Sequence, residues 1–175
     1  MNNFLLAVRS SFGFLSTIPV GITMEGLDEF FKRTYLHILV GIVLGLIMGA
    51  VAYVLGSFLS VQLSAVFIII FVYYLTGLNH LDGIADLGDG MTAHGSREKK
   101  LKALKDMSLG IGGVAFAALT LITFYAALVT LQAEALRISA SVADMAVILF
   151  ISMFVAEVSA MQSMLTTAAF GKSIH

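Results

Sequence analysis

The chain has 175 residues, of which 59% are apolar and only 12% are charged, and its mean hydropathy is +0.97. This balance excludes an ordinary water-soluble domain and predicts an integral membrane protein. The net charge of -1 provides no basic surface for nucleic acid, and the lack of cysteine excludes disulfides, thiolate nucleophiles and cysteine-bound metals.

The N-terminal segment, residues 1–20, is predicted to be an amphipathic helix. Its apolar side chains recur at three- and four-residue spacing: Phe4, Leu5, Val8, Phe12 and Leu15. The helix either lies along the membrane interface or packs against the bundle, and the pattern fits both placements. No small-residue cleavage site is obvious, so the segment is interpreted as mature protein and not as a signal peptide.

Four apolar stretches are long enough to cross about 30 Å of hydrocarbon. They cover approximately residues 35–56, 58–76, 111–131 and 141–168. The predicted fold class is therefore all-α: a single transmembrane domain over residues 1–175, built as a polytopic helical bundle of four membrane helices. A cytoplasmic helical loop, residues 77–110, joins the second and third spans.

The basic residues predict the orientation of the bundle. With a cytoplasmic N-terminus, nine of the ten lysines and arginines fall on the inner side and only Arg137 falls outside. The nine are Arg9, Lys32, Arg33, Arg97, Lys99, Lys100, Lys102, Lys105 and Lys172. This asymmetry predicts four crossings of the cell membrane, with both ends and residues 77–110 in the cytoplasm.

Gly41, Gly45 and Gly49 form a stripe of small residues in the first span. Such a stripe lets two helix backbones approach closely, either within the chain or between copies in a homo-oligomer.

The cytoplasmic loop carries three aspartates at helical spacing. Asp82, Asp86 and Asp89 stand at i, i+4 and i+7, so on a helix their carboxylates share one face, with Asn79 one turn earlier. Three like charges on one stripe repel each other, and a divalent cation such as Mg²⁺ relieves the repulsion while binding substrate phosphate. His80 is either a ligand or acid-base group, or only an interfacial hydrogen-bonding residue.

Two further features bear on this candidate metal site. The basic run from Arg97 to Lys105 retains the loop on the inner side, and it can also hold a polyphosphate opposite the aspartates. Glu157, inside the fourth span, either adds a carboxylate to the site or is simply a glutamate near the inner interface. Metal-assisted phosphoryl transfer is the chemistry that fits these residues.

The stretch from Thr76 through His80-Leu81-Asp82-Gly83 and Asp86 to Asp89-Gly90 resembles the signature of the cobalamin synthase family, the adenosylcobinamide-GDP ribazoletransferases. The resemblance extends over residues 14–20 and 104–113 and covers most of the chain.

The resemblance implies Mg²⁺-dependent transfer of adenosylcobinamide phosphate from its GDP anhydride to α-ribazole or α-ribazole 5'-phosphate, with release of GMP. Metal would rest on Asp82, Asp86 and Asp89, and His80 or an aspartate would act as the base. The predicted substrate-binding residues are Asn79, Arg97, Lys105, Asp106 and Ser108.

Two departures from the family pattern matter. Family members have an arginine near position 160, where this chain has Ala160, so a phosphate contact from that helix is missing. They also continue beyond the position of His175 through further helices and a second acidic motif. The chain is therefore expected to be a short form or a truncated one, and a truncated form would lack part of its metal site.

Two other functions are weighed against this transferase. A CDP-alcohol phosphotransferase also places spaced aspartates at a helical mouth, but this chain lacks that family's Asp-Gly-x-x-Ala-Arg run, since Ile84, Ala85 and Asp86 follow Asp82-Gly83. A transporter or ion channel needs ionisable groups at several depths of the membrane, and the first three spans offer almost none beyond His37.

Overall fold

The computed structural model describes residues 2–106 and 108–171, and this part of the chain is helical with short connections. Its eight helices are α1 (Asn3–Leu15), α2 (Met24–Phe31), α3 (Leu36–Phe58), α4 (Val61–Thr76), α5 (Asn79–Thr92), α6 (Arg97–Leu104), α7 (Ile111–Ile138) and α8 (Val142–Phe170). The predicted all-α class is confirmed. Lys172 and His175 lie outside the described residues.

Three helices are long and apolar enough to cross a membrane, and they are α3, α7 and residues Val142–Thr167 of α8. The short α4 reaches the same standard only together with α5, from which it is bent by 96°. The four predicted apolar stretches thus correspond to α3, α4, α7 and α8. The membrane protein has three or four candidate spans.

The glycine stripe of α3 packs against α8, which runs antiparallel to it. A Cβ built on Gly41 would lie 2.9 Å from Met161 Cγ, one on Gly45 3.0 Å from the Phe154 carbonyl oxygen, and one on Gly49 2.8 Å from the Phe150 carbonyl oxygen. Only glycine allows backbones this close. The stripe therefore serves packing within the chain, and an oligomer contact through it would have to displace α8.

Helix α4 is joined to α7 by a buried polar contact. The Ser64 hydroxyl donates to Gln132 Oε1 at 2.5 Å, and the Gln132 amide donates to the Leu128 carbonyl at 3.2 Å. Both side chains are almost fully buried, and the Ser64 hydroxyl and Gln132 Oε1 satisfy each other's hydrogen-bonding capacity.

The N-terminal helix α1 packs against the bundle, as one of its two predicted placements requires. Ala7 and Leu15 are buried in one cluster with Phe30 of α2 and Leu36 of α3. Part of the predicted apolar face remains open, since Phe4 is 42% and Leu5 55% exposed. Helix α1 therefore presents apolar surface outward while its other face holds it to the bundle.

Several predicted boundaries need correction. The second span does not begin at residue 58, because Phe58 ends α3 and α4 starts at Val61. The third continues past residue 131 to Ile138, since the buried Gln132 and an Arg137–Glu134 ion pair extend the helix. Helix α2 was not predicted; it has only eight residues, and Phe30 is buried on its inner face.

Candidate functional site

The site is built around α5, which carries all three predicted aspartates on continuous helix. A sharp turn sets its direction: Gly77, at φ 76° and ψ 179°, ends α4 in a backbone conformation that essentially only glycine adopts. The Thr17 hydroxyl donates to the Tyr74 carbonyl at 2.6 Å, and the Thr17 backbone N–H donates to the Leu75 carbonyl at 2.8 Å. The connection between α1 and α2 therefore holds the end of α4. The turn places α5 across the end of the bundle.

Asp89 fastens α5 to the start of α7. Its Oδ2 accepts the backbone N–H of Gly110 at 2.7 Å, and its Oδ1 accepts the N–H of Gly113 at 2.8 Å. Helix α7 begins after a glycine and has no cap of its own, so its exposed N–H groups need an acceptor from elsewhere. A carboxylate also suits the positive end of the helix. Asp89 therefore has a structural task that its spacing with Asp82 does not reveal.

Glycines on both helices allow this contact. A Cβ on Gly88 would lie 2.8 Å from Phe116 Cβ, one on Gly112 2.7 Å from the Gly88 carbonyl oxygen, and one on Gly113 2.9 Å from the Ala85 carbonyl oxygen. The backbones of α5 and α7 thus approach closely at these three positions. At Gly83 a Cβ would meet nothing within 4 Å, so packing does not explain that glycine.

Asp82 and Asp86 are the carboxylates left open to a ligand. Asp82 is exposed and lines a cavity of about 200 Å³ between α5 and α7, and Asp86 is half-buried. Within residues 2–106 and 108–171, no group of three or more acidic or histidine side chains could by itself hold a metal ion. Two carboxylates at i and i+4 nevertheless fit Mg²⁺, which is commonly bound by one or two carboxylates with substrate phosphates and water completing its shell.

His80 does not join the aspartates but lines a different cavity, of about 260 Å³, which we call the His80–Glu157 cavity. Glu157 is 8% exposed, and its Oε1 is buried without a hydrogen-bond partner among the described residues. Ala160, where the family resemblance expects an arginine, also lines this cavity. Sequence reasoning singled out both His80 and Glu157, but it could not predict that they face the same space.

The predicted phosphate-binding residues lie around α6. Arg97 begins this helix and lines a cavity of about 280 Å³ together with Lys100 and Gly90 of α5. Lys105 ends α6 and is exposed. Basic side chains therefore adjoin the C-terminal half of α5, and their binding of a polyphosphate stays a prediction.

The remaining predicted substrate-binding residues occupy the two ends of the loop. Asn79 is the exposed first residue of α5. Asp106 Oδ1 accepts the backbone N–H of Ser108 at 3.1 Å, forming a turn that leads the chain into α7. Asp106 and Ser108 thus have a local structural role beside any contact with substrate.

The fold and this site define a polytopic helical membrane protein with an acidic helix at one end of its bundle. The chain belongs to the cobalamin-5-phosphate synthase family, whose sequence model matches residues 7–175.

Its relatives carry a more specific name. The chain is 60% identical over its full length to the adenosylcobinamide-GDP ribazoletransferase of Methanococcoides burtonii and 56% identical, over 99% of its length, to that of Methanosarcina mazei. It is 39% identical to the corresponding Methanocella arvoryzae protein, again over 99% of its length. The chain spans 64%, 61% and 60% of these three relatives. No solved structure matches the chain.

Proposed function

We propose that the chain carries the acidic site of an adenosylcobinamide-GDP ribazoletransferase in cobalamin biosynthesis. The reaction joins adenosylcobinamide phosphate, from adenosylcobinamide-GDP, to α-ribazole or its 5'-phosphate and releases GMP. The observation that carries the proposal is the exposed Asp82 and half-buried Asp86 on α5, beside the basic α6, in a chain whose relatives bear this enzyme's name.

Asp82 and Asp86 are proposed as the ligands of Mg²⁺. When bound there with substrate, Mg²⁺ offsets negative charge on the diphosphate as the bond to GMP breaks. The metal role predicted for Asp89 is compatible with its cap on α7, because each carboxylate oxygen has a second lone pair. The contact with Gly110 and Gly113 then fixes the helix that positions the other two carboxylates.

The remaining polar residues are assigned by what they can do at that diphosphate. Arg97 and Lys105 are donors for phosphate oxygens, and Arg97 lines a cavity that α5 also lines. Asn79 and Ser108 can donate hydrogen bonds to the substrate. His80 is proposed to receive the proton of the attacking ribose hydroxyl, since it begins the same helix as the aspartates and faces a cavity that can admit the nucleoside.

The proposed orientation puts α5 and α6 on the cytoplasmic side of the cell membrane. The basic residues of α6 and the Lys32–Arg33 pair after α2 support it, because they lie at the bundle end where α3 and α7 begin and α4 ends. Labelling of a single cysteine introduced at the exposed Ser96 would test it. The cysteine should react in inverted membrane vesicles and stay protected in right-side-out vesicles.

Release of GMP is the direct test of the proposed activity. Membranes containing the chain are supplied with adenosylcobinamide-GDP, α-ribazole 5'-phosphate and Mg²⁺, and GMP is quantified by chromatography. The proposal predicts GMP formation that requires both substrates and is lost when EDTA removes the metal. GMP formation that is unchanged in EDTA would contradict the role given to the carboxylates.

A further inference from the structure

Besides His80, the His80–Glu157 cavity has polar groups to which the proposed transfer reaction assigns no role. Five helices meet around it, and its polar wall consists of Tyr73, Thr76, His80 and Glu157. Glu157 is more than nine-tenths buried, and its Oε1 accepts no hydrogen bond from any part of the chain that the structure describes. A buried acceptor without a donor is destabilising, and a ligand that supplies the donor would remove this cost.

The rest of the wall is apolar. Met48, Val72, Phe124 and Met153 come from four different helices and enclose the space beside the carboxylate. Thioether and aromatic groups of this kind suit a flat, apolar ring. The cavity volume of about 260 Å³ is sufficient for a bicyclic ring system with part of a sugar. An apolar body with a hydroxyl donor therefore matches the cavity better than a bare cation does.

The cavity also lies next to the proposed reaction centre. Residues Val158 and Met161, which follow Glu157 on α8, pack on Gly41 in the second turn of α3, so Glu157 lies near the end of the bundle that α5 crosses. His80 stands between the two sites, because it lines the cavity and precedes Asp82 on the same helix by two residues. A molecule that fills the cavity therefore contacts the first turn of α5, the turn that also carries Asp82.

We infer that the His80–Glu157 cavity binds the acceptor nucleoside, with its heteroaromatic base among Met48, Phe124 and Met153 and a ribose hydroxyl donating to Glu157. The inference rests on the proposed function, since it names the site of that reaction's second substrate. Glu157 is a binding residue in this arrangement.

Binding of α-ribazole to the full 175-residue chain in lipid nanodiscs tests the inference, with isothermal titration calorimetry as the readout. Glu157→Leu removes the acceptor and retains an apolar side chain of similar size, and Ser159→Ala, at an exposed position of the same helix, is the matched control. A hydroxyl left in the cavity without its acceptor should weaken α-ribazole binding about 10- to 100-fold in Glu157→Leu and leave Ser159→Ala unchanged.

A second ligand separates the hydrogen bond from general packing. 1-Methylbenzimidazole has the ring but neither a hydroxyl nor an N–H donor, so it should bind wild type and Glu157→Leu equally well. Without ligand, Glu157→Leu should melt at or above the wild-type temperature, because it removes an unsatisfied buried polar atom. If Glu157→Leu does not fold, Glu157→Gln replaces it and should weaken α-ribazole binding several-fold.

Three results would overturn the inference: no binding of α-ribazole to the wild-type chain, equal affinity of wild type and the Glu157 variant, or an equal loss for both ligands. These outcomes are independent of the proposed activity. Glu157-dependent binding of α-ribazole without GMP release would leave the nucleoside site standing and refute the transferase. GMP release that is insensitive to Glu157→Leu would leave the transferase standing and refute the nucleoside site.

Discussion

Replacement of Asp89 separates its structural role from that of the other aspartates on α5. Asp89→Ala removes the acceptors of two hydrogen bonds, those from Gly110 N–H at 2.7 Å and Gly113 N–H at 2.8 Å. Hydrogen bonds to a charged group contribute about 1.5–3 kcal/mol, and loss of a helix N-cap typically costs about 1 kcal/mol. Because the half-buried site admits some water to the freed donors, we expect a total loss of about 2 kcal/mol.

Asp89→Asn should cost about half as much, since its amide keeps one acceptor oxygen and turns a donor toward the other N–H. The matched control is Asp82→Ala, because Asp82 is exposed on the same helix and should change stability by less than about 0.5 kcal/mol.

Thermal unfolding in detergent micelles, followed by circular dichroism, measures the difference. At about 2–4 °C per kcal/mol for a chain of this size, Asp89→Ala should lower the melting temperature by about 4–8 °C and Asp89→Asn by about half of that. Equal melting temperatures for Asp89→Ala and Asp82→Ala would refute the assignment of Asp89 as the cap of α7.

Three further substitutions test a close helix contact, a buried hydrogen bond and an ion pair. Gly49→Leu should destabilise the chain by about 1–3 kcal/mol in unfolding experiments, because its Cβ meets the α8 backbone at 2.8 Å, whereas Ala50→Leu on the outer face should be neutral. Gln132→Leu should cost about 0.5–1.5 kcal/mol by breaking the buried contact between α4 and α7; an unchanged stability would show that this contact contributes nothing. The hydrogen bond from Lys32 holds the pKa of Glu29 below its ordinary 4.5. The Glu29–Lys32 pair therefore stabilises the chain above pH 4.5 and loses this effect as the pH falls through the lowered pKa. The melting temperatures of wild type and Glu29→Gln should converge when the pH is lowered below 4.5.

Hydropathy alone predicts the helical class and the approximate positions of α3, α4, α7 and α8. Spans are predictable because every backbone polar group in hydrocarbon must be satisfied within its own helix, which imposes a long apolar run. The spacing of Asp82, Asp86 and Asp89 likewise predicts the helix that carries them. These are local properties, so a single sequence contains them.

Other features depend on contacts between distant segments and cannot be read from spacing. Asp89 caps a helix that starts 22 residues later in the chain, and Glu157 shares a cavity with His80 from a different helix. The choice between packing and self-association for the glycine stripe also required the position of α8. Helix α2 packs Phe30 against residues of α1 and α3, and its short sequence does not show which helices it contacts.

The central claim is that Asp82 and Asp86 hold the metal that binds the diphosphate substrate. Its most direct test is the Mg²⁺-dependent binding of adenosylcobinamide-GDP to this chain in nanodiscs, compared between wild type, Asp82→Asn, Asp86→Asn and the exposed control Asp28→Asn. Wild type and Asp28→Asn should bind the substrate at least about tenfold more tightly with Mg²⁺ than without it. This factor corresponds to a contribution of about 1.4 kcal/mol from the metal to the binding free energy. Both site variants should lose this difference. An Mg²⁺ effect that persists undiminished in Asp82→Asn and Asp86→Asn would contradict the claim.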